Sequence, residues 1–487
     1  MAIQEQPQTL AYAVRPRVVL KYLAQLVLIL AALDLVPAAV AMGCGDNTLA
    51  FRFALVTVVL LAVSFPWVRL TVPVDIQVNE ALCVTALAFL VGALSNLYPF
   101  MGAGIALPDA LFEAVSGITT TGLSTLASVE DKPVSFLFAR AWMQWYGGLG
   151  IVILSLALFL GHERIARRLL GRASEGEGLA VGIRRYTRQV VVVYLLLTLL
   201  AALLLWATGL DGFTAVAHAL SAVSTGGFST YDNSLTGLGR GAAAWIVTFS
   251  GLGGALALTL YYRTWDQGWR ELGGDTESRG LFAAVALSVC LLMLNLHWNG
   301  SLSWGESMKH AVLLGISAQT TTGYSSLDVG QLQPLSKLML MLSMFIGGDV
   351  GSTAGGVKIL RLLVLLRLLQ FIIRTTGAPQ HAVNEARLGG RRLSQQEFIA
   401  VLTLLAMFAL VILFSWVPFL TLGYDPLNSL FEVVSATATT GLSTGITGPG
   451  LDPVLKGVLC LDMLAGRLEI LALLVLLYPG TWFGKRI

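Results

Sequence analysis

Four short polar segments recur inside an otherwise apolar chain. They read SGITTTGLST from Ser116, SAVSTGGFST from Ser221, SAQTTTGYSS from Ser317 and SATATTGLST from Ser435. Aligned on Gly122, Gly227, Gly323 and Gly441, each has Ser six residues earlier (Ser116, Ser221, Ser317, Ser435) and Thr two earlier (Thr120, Thr225, Thr321, Thr439). Each also has Leu or an aromatic next (Leu123, Phe228, Tyr324, Leu442) and then Ser (Ser124, Ser229, Ser325, Ser443). The glycines lie roughly a hundred residues apart, a spacing that marks an internal repeat. Any fold for this chain has to house the same polar segment four times.

The surroundings of these segments are hydrocarbon-like. Of the 487 residues, 56% are hydrophobic and 12% charged, against about 25% charged in an average soluble domain. Stretches such as QVVVVYLLLTLLAALLLWATGL and GLFAAVALSVCLLMLNLHW approach or exceed the ~20 residues that cross a bilayer as helix. The chain therefore reads as an all-α polytopic membrane protein.

The net charge of +3 is uninformative, but its distribution is not. Arginines gather in three connections: Arg164, Arg167, Arg168, Arg172, Arg184, Arg185 and Arg188; Arg263, Arg270 and Arg279; and Arg361, Arg367, Arg374, Arg387, Arg391 and Arg392. The positive-inside rule makes these connections cytoplasmic, so the polar segments enter from the opposite face. Topology alone accounts for the arginines without nucleic-acid binding. Cys44, Cys83, Cys290 and Cys460 have no metal-ligand spacing and read as small core residues. The first apolar run, Val18–Met42, is too long for a signal-peptide core and is expected to be retained.

The repeat extends upstream, where LFEAVS (Leu111–Ser116) matches LFEVVS (Leu430–Ser435). Turn or cap signals, Pro108-Asp109 and Asp425-Pro426, precede both copies. They leave room for about ten helical residues, roughly 15 Å, which enters the membrane halfway and returns. Each unit is then outer helix, half-helix, polar loop, inner helix. The expected divisions are two N-terminal helices in 1–73 and four pore repeats at 74–160, 184–262, 280–374 and 395–483. That makes ten full spans plus four half-helices.

Irregular backbone at membrane depth needs burial in protein or a water-filled cavity. Four units around an axis would bring four loops together, with the negative ends of four half-helix dipoles aimed at a cation. Backbone carbonyls and hydroxyls can replace a cation's hydration shell, and glycine lets successive carbonyls point the same way. No loop centre carries a carboxylate, which favours a monovalent ion. The expected ion-binding filter is Thr120, Thr121, Gly122; Thr225, Gly226, Gly227; Thr321, Thr322, Gly323; and Thr439, Thr440, Gly441, with potassium at the backbone carbonyls. The blander reading is a seam of small residues between helices. A secondary transporter with inverted repeats and coupling acids competes with the channel-like reading, as does a membrane enzyme, for which no nucleophile, acid–base pair or metal cluster stands out.

At these loops the chain resembles the potassium-transporting subunits of the Trk/Ktr/HKT superfamily, and most closely the TrkH type, over almost its whole length. Further matching motifs are MFIGGDVGSTAGGVKILR (Met344–Arg361), RAWMQWYGGLGIVIL (Arg140–Leu154) and GRLEILALLVLLYP (Gly466–Pro479). The two extra N-terminal helices favour the TrkH type over the Ktr type. The resemblance implies a pseudo-fourfold pore, a homodimer in the bacterial inner membrane, a cytosolic nucleotide-binding (TrkA-like) gating ring, K+ as the transported ion and no cofactor in this chain. Serine at the first filter glycine is associated with sodium transport in the superfamily, so Gly122 keeps the potassium reading.

Glycine-rich sequence is poor helix, at about 1 kcal/mol per glycine against alanine. The third inner helix should therefore break at Gly347–Gly356. The resemblance implies an intramembrane gate there, made of Gly347, Gly348, Asp349, Gly351, Ser352, Thr353, Gly355, Gly356 and Lys358, with Lys358 open between gate and helix end. An intramembrane charge is by default a functional candidate. The resemblance implies that Arg467 is a pore barrier below the filter; an ion pair with Asp462, Glu469 or Asp349 is its alternative. Asp349 and Asp462 depart from the family pattern, and Asp349 is expected to interact with Arg467, directly or through water, when the gate is closed. Glu113 and Glu432 are expected to brace the filter. His218, His297 and His310 read as interfacial residues.

Overall fold

The computed structural model describes residues 13–73, 76–159, 179–239, 241–300, 302–377, 379 and 385–483. The side chains of 155–159 and 179–181 lie outside that description, as do Val74 and the predicted topology arginines Arg164, Arg167, Arg168 and Arg172. Helices α1 (Pro16–Gly43) and α2 (Asn47–Val68) form an antiparallel N-terminal pair. The first unit follows: outer helix α3 (Val78–Phe100), half-helix α4 (Leu107–Ile118) and inner helix α5 (Val134–Phe159). The second has α6 (Leu179–Ala207), half-helix α7 (Gly212–Val223), then α8 (Ala243–Ala255) and α9 (Leu258–Gln267). After the short α10 (Arg270–Gly274), the third has α11 (Thr276–Trp298), half-helix α12 (Trp304–Gln319), α13 (Pro334–Ile346) and α14 (Ile359–Thr376). A hairpin of two-residue strands, β1 (Arg387–Leu388) and β2 (Arg391–Arg392), precedes the fourth unit. That unit has α15 (Gln395–Thr421), half-helix α16 (Pro426–Thr437), α17 (Pro453–Arg467), α18 (Leu471–Leu477) and α19 (Pro479–Phe483).

Among the described residues, α1, α2, α3 with the turn after it, α6, α11 and α15 are each long and apolar enough to cross a membrane. The expected ten spans need a correction in form. The 26-residue α5 is continuous, but all three other inner spans are broken. The break foreseen in the third is there, at 347–358. The second bends by 84° between α8 and α9, and the fourth stops at Leu468–Ile470.

The half-helices are the core. Phe112 and Phe431 occupy equivalent positions in α4 and α16 and are fully buried, as are Ala110, Ala114, Val433 and Ala436. The outer helix α15 shows the reverse pattern: it exposes Leu402, Leu410, Leu413 and Phe414, an apolar face suited to lipid. Three half-helices have twelve residues, about 18 Å of rise, and so cannot cross the ~30 Å hydrocarbon core. Their starts are specified locally. Asp211 caps α7 by accepting from Thr214 N, Asp425 caps α16 by accepting from Asn428 N, and Ser303 and Glu306 form a capping box on α12.

Candidate ion path

All four half-helices end in one conformation. Thr120, Thr225, Thr321 and Thr439 stand at φ 54°, 52°, 52° and 50°. A β-branched residue in that region is strained by on the order of 1–3 kcal/mol, so four equivalent outliers require a common cause. The turn is closed by backbone. The next N–H reaches back to the carbonyl of the repeated serine: Thr121 to Ser116 at 2.9 Å, Gly226 to Ser221 at 2.8 Å, Thr322 to Ser317 at 2.9 Å and Thr440 to Ser435 at 2.8 Å. In two units the serine hydroxyl also accepts from the loop glycine, Gly122 N to Ser116 Oγ at 3.0 Å and Gly441 N to Ser435 Oγ at 3.1 Å. The hydroxyls of Thr121 and Thr322 turn back to Thr119 and Thr320, at 2.8 and 2.6 Å.

The four glycines then meet in a cycle. They have φ values of 89°, 80°, 83° and 93° in chain order, which L side chains rarely adopt. A Cβ on Gly122 would stand under 3.0 Å from the Gly226 carbonyl oxygen, one on Gly227 from that of Thr322, one on Gly323 from that of Thr440, and one on Gly441 from that of Thr121. Each glycine abuts the carbonyl one residue before the glycine of the next unit, and the fourth returns to the first. The contacts place the four loops around one axis. All seven threonines expected in the filter, and Gly226, are buried, while the four cycle glycines are half-buried.

Side chains brace this ring from outside. Glu113 is fully buried, pairs with Arg140 at 2.7 Å, and accepts from Ser124 Oγ at 2.6 Å and Thr125 N at 3.1 Å. Glu432 does the same work in the fourth unit, accepting from Ser443 Oγ at 2.8 Å, Thr444 N at 2.6 Å and Thr447 Oγ1 at 2.5 Å. His218 occupies the equivalent position in the second unit, nine residues before the loop glycine. It is fully buried, with Nδ1 2.9 Å from Thr214 O and Nε2 3.2 Å from Ser229 Oγ, which corrects its reading as an interfacial residue. Neighbouring units are also tied together. Lys337 of α13 donates to Asn428 of α16 at 2.8 Å, and Lys456 of α17 donates to Asp109 of α4 at 2.5 Å. Gln144 of α5 donates to Gly226 O at 2.5 Å and accepts from Ser221 Oγ at 2.7 Å and Phe228 N at 3.2 Å. Sequence reasoning missed Gln144; its signal was a lone amide in the apolar inner helix.

Removing Glu113 would leave Arg140, only 2% exposed, charged and unpaired. We expect Glu113→Ala to lose about 3–5 kcal/mol. Thermal unfolding in detergent checks this, and the neutral isostere Glu113→Gln should lose less.

Residues 347–357 are all buried, and this stretch lies directly against the ends of three half-helices. Thr353 Oγ1 donates to Val223 O at 3.1 Å, and Thr225 Oγ1 approaches it at 3.3 Å. Gly355 N donates to Thr321 Oγ1 at 2.6 Å, and Gly356 N to Ala438 O at 3.0 Å. Gln319 donates to Gly347 O at 2.8 Å. The stretch also enters the break of the second inner span, where Asp349 N donates to Ala255 O at 3.0 Å and Thr353 N to Gly254 O at 3.1 Å. Lys358 begins α14 with φ 78° and folds its ammonium back on the Ala354 carbonyl.

Arg467 is 3% exposed and donates from Nη1 to Thr353 O at 2.8 Å, while Nε and Nη2 have no partner among the described residues. Asp349 and Arg467 do not pair directly. Asp349 Oδ2 instead accepts from Ser278 Oγ at 3.2 Å and Ala257 N at 3.4 Å, because the stretch drops Asp349 into the break between α8 and α9. Asp462 meets Ser415 at 2.5 Å and Glu469 pairs with Arg361, so neither neutralises Arg467. Two of the cysteines also depart from expectation: Cys83 and Cys460 are buried, but Cys44 and Cys290 are exposed.

A fourfold cycle of glycine loops with a loop beneath it can be matched against known proteins. Residues 53–480 fit the TrkH family, described as cation transport proteins. The chain belongs to the TrkH family. It is 30% identical over 426 residues to the Trk system potassium uptake protein TrkH of Escherichia coli K12, covering 84% of this chain and 87% of that one. It is also 30% identical over 484 residues to the Trk system potassium uptake protein TrkI of Halomonas elongata, covering 95% and 96%. The crystal structure of the potassium transporter TrkH from Vibrio parahaemolyticus superposes with a TM-score of 0.85 at 26% identity, over 96% of this chain and all of that one. This TrkH-family chain is accordingly a multi-pass, all-α protein of the bacterial inner membrane.

Proposed function

We propose that this TrkH-family chain takes up potassium through the ring formed by the four glycine loops. The observation that carries the reading is the closed cycle in which Gly122, Gly227, Gly323 and Gly441 each abut a neighbouring unit's carbonyl. In this reading the carbonyls of Thr121, Gly226, Thr322 and Thr440 take the place of a cation's water. Glycine at all four positions is needed because a side chain would occupy the carbonyl's place. The names of the relatives support potassium as the ion, and neutral oxygen ligands suit a monovalent cation.

In this reading the 347–358 stretch is the gate and is closed here. The cavity beneath it, lined by Val350, Gly355, Lys358, Arg467 and Glu469, holds about 20 Å³. That is room for one water and not for a hydrated ion. The Arg467 guanidinium adds a positive barrier and, through Thr353 O, a tether on the gate. The resemblance further supports a homodimer whose gate answers to a cytosolic nucleotide-binding ring.

Uptake into proteoliposomes tests the transport reading. Tracer Rb+ should enter, K+ should compete with it, and Na+ should compete weakly. Equal competition by Na+ would favour a sodium-permeable member of the family, and no uptake by a folded protein would reject transport. Arg467→Ala should raise basal Rb+ flux by about tenfold, since a tenfold change needs only ~1.4 kcal/mol off the barrier. A variant that conducts no faster would remove Arg467 from the barrier.

A further inference from the structure

The closed gate abuts a second and larger cavity. This one holds about 660 Å³, and its lining includes Leu82 of α3, Arg263 of α9, Val364 of α14 and Thr403 of α15, so all four units contribute to it. Its walls are mostly α14, α15 and the β1–β2 hairpin, and Leu82 is the first unit's contribution. Its lining includes the arginine-bearing β1–β2 hairpin, which places it at the cytoplasmic end. Its charged lining is four carboxylates and three guanidiniums, a negative balance that suits a cation path.

The two cavities share wall residues. Val350 and Glu469 line both the 20 Å³ space under the gate and the 660 Å³ vestibule. Glu469 is paired with Arg361 across that boundary. Arg361 stands in the first turn of α14, directly after the gate stretch, and its Nη1 donates to Val357 O at 2.7 Å. Glu469 stands in the break of the fourth inner span, where it and Ile470 take φ of 53° and 60° without being glycine. The pair thus joins the root of the gate to the break between α17 and α18 of the fourth inner span. Both side chains are mostly buried, at 9% and 16% exposure, so water competes little for either.

We propose that the Arg361–Glu469 ion pair, with Val350, is a cytoplasmic door between the gate and the vestibule, and that it parts when an ion leaves. The inference rests on the reading of this chain as a potassium pathway. Val350 belongs to the gate stretch and the pair does not, so the two halves of the door can be removed separately. Neither residue needs to touch the ion; both act by holding the wall shut.

The test is basal Rb+ efflux from proteoliposomes. Glu469→Gln and Arg361→Gln should each raise it by about tenfold, and the swap Arg361→Glu with Glu469→Arg should return it close to the wild-type rate. The leak should keep its preference for Rb+ over Na+, which a disrupted fold would not, and Glu469→Asp should leak less than Glu469→Gln. Single variants no faster than wild type, or a swap that leaks as the singles do, would overturn the door. The vestibule is tested by Thr403→Cys in a chain lacking residues 348–355. A membrane-impermeant cationic thiol reagent on the cytoplasmic side should block its Rb+ flux, with the same deletion carrying Thr403 as the control for the natural cysteines. Unchanged flux after labelling confirmed by mass would exclude the vestibule from the path. Failure of both the wild-type chain and the deletion to carry Rb+ would reject the transport reading itself, and so is distinguishable from failure of the door.

Discussion

Excision of Gly348–Gly355 should raise basal K+ flux by on the order of tenfold or more, the largest gain expected from any change to this chain. The geometry allows the cut. Gly356 lies so close to Gly347 that a Cβ on either would stand under 3.0 Å or at 3.0 Å from the other's Cα, and Val357 N already donates to Phe345 O at 2.9 Å. The ends to be joined are therefore neighbours before the loop is removed. What is lost are the contacts of Thr353 with Val223 and Gly254, of Gly355 with Thr321, and of the Thr353 carbonyl with Arg467. Flux of K+ from liposomes containing the deletion reads the result. A folded deletion that conducts at the wild-type basal rate would mean that the stretch closes nothing.

Replacing Gly122 by Ser should collapse ion choice. Two penalties coincide at that position. The backbone stands at φ 89°, where a side chain is strained, and the new Cβ would overlap the Gly226 carbonyl. Gly226 cannot yield freely, because Gln144 holds its carbonyl at 2.5 Å. The carbonyl must move or turn, and the cycle passes the displacement to Gly227, which abuts Thr322. We expect the K+/Na+ flux ratio to fall about tenfold or more, equivalent to ~1.4 kcal/mol of lost discrimination. Gly457→Ala is the control, since a Cβ there meets nothing within 4 Å. An unchanged ratio in Gly122→Ser would remove this glycine from the selective step.

The parts of this fold legible in the sequence are those encoded locally. The half-helices could be found because Pro108, Asp425 and the polar loops bracket short apolar runs, and because the pattern recurs four times. The break at 347–358 could be found because glycine is a poor helix former. The breaks at Leu256–Ala257 and Leu468–Ile470 could not. At the first, the missing hydrogen bonds are supplied by another unit: Ala255 O and Gly254 O accept from Asp349 and Thr353. At the second, Glu469 and Ile470 take left-handed conformations that their side chains do not advertise. The site divides the same way. The loop threonines and glycines are visible as a repeat, whereas Gln144 is a single residue whose partners lie in another unit. His218 shows its role only when aligned with Glu113 and Glu432. A direct Asp349–Arg467 contact was suggested by their charges and by where the resemblance puts them, and it is absent. Asp349 is held by backbone and hydroxyl groups of α9 and α11, and a sequence does not show which break a loop will enter.

The central claim is that four carbonyls, from Thr121, Gly226, Thr322 and Thr440, hold a dehydrated potassium-like ion on the axis. Anomalous diffraction from crystals of the full chain grown in RbCl tests it most directly. The account predicts an anomalous peak on the axis among these four oxygens, lost when RbCl is replaced by NaCl. Crystals of protein that carries Rb+ in liposomes, yet show Rb+ elsewhere and none at this ring, would contradict it.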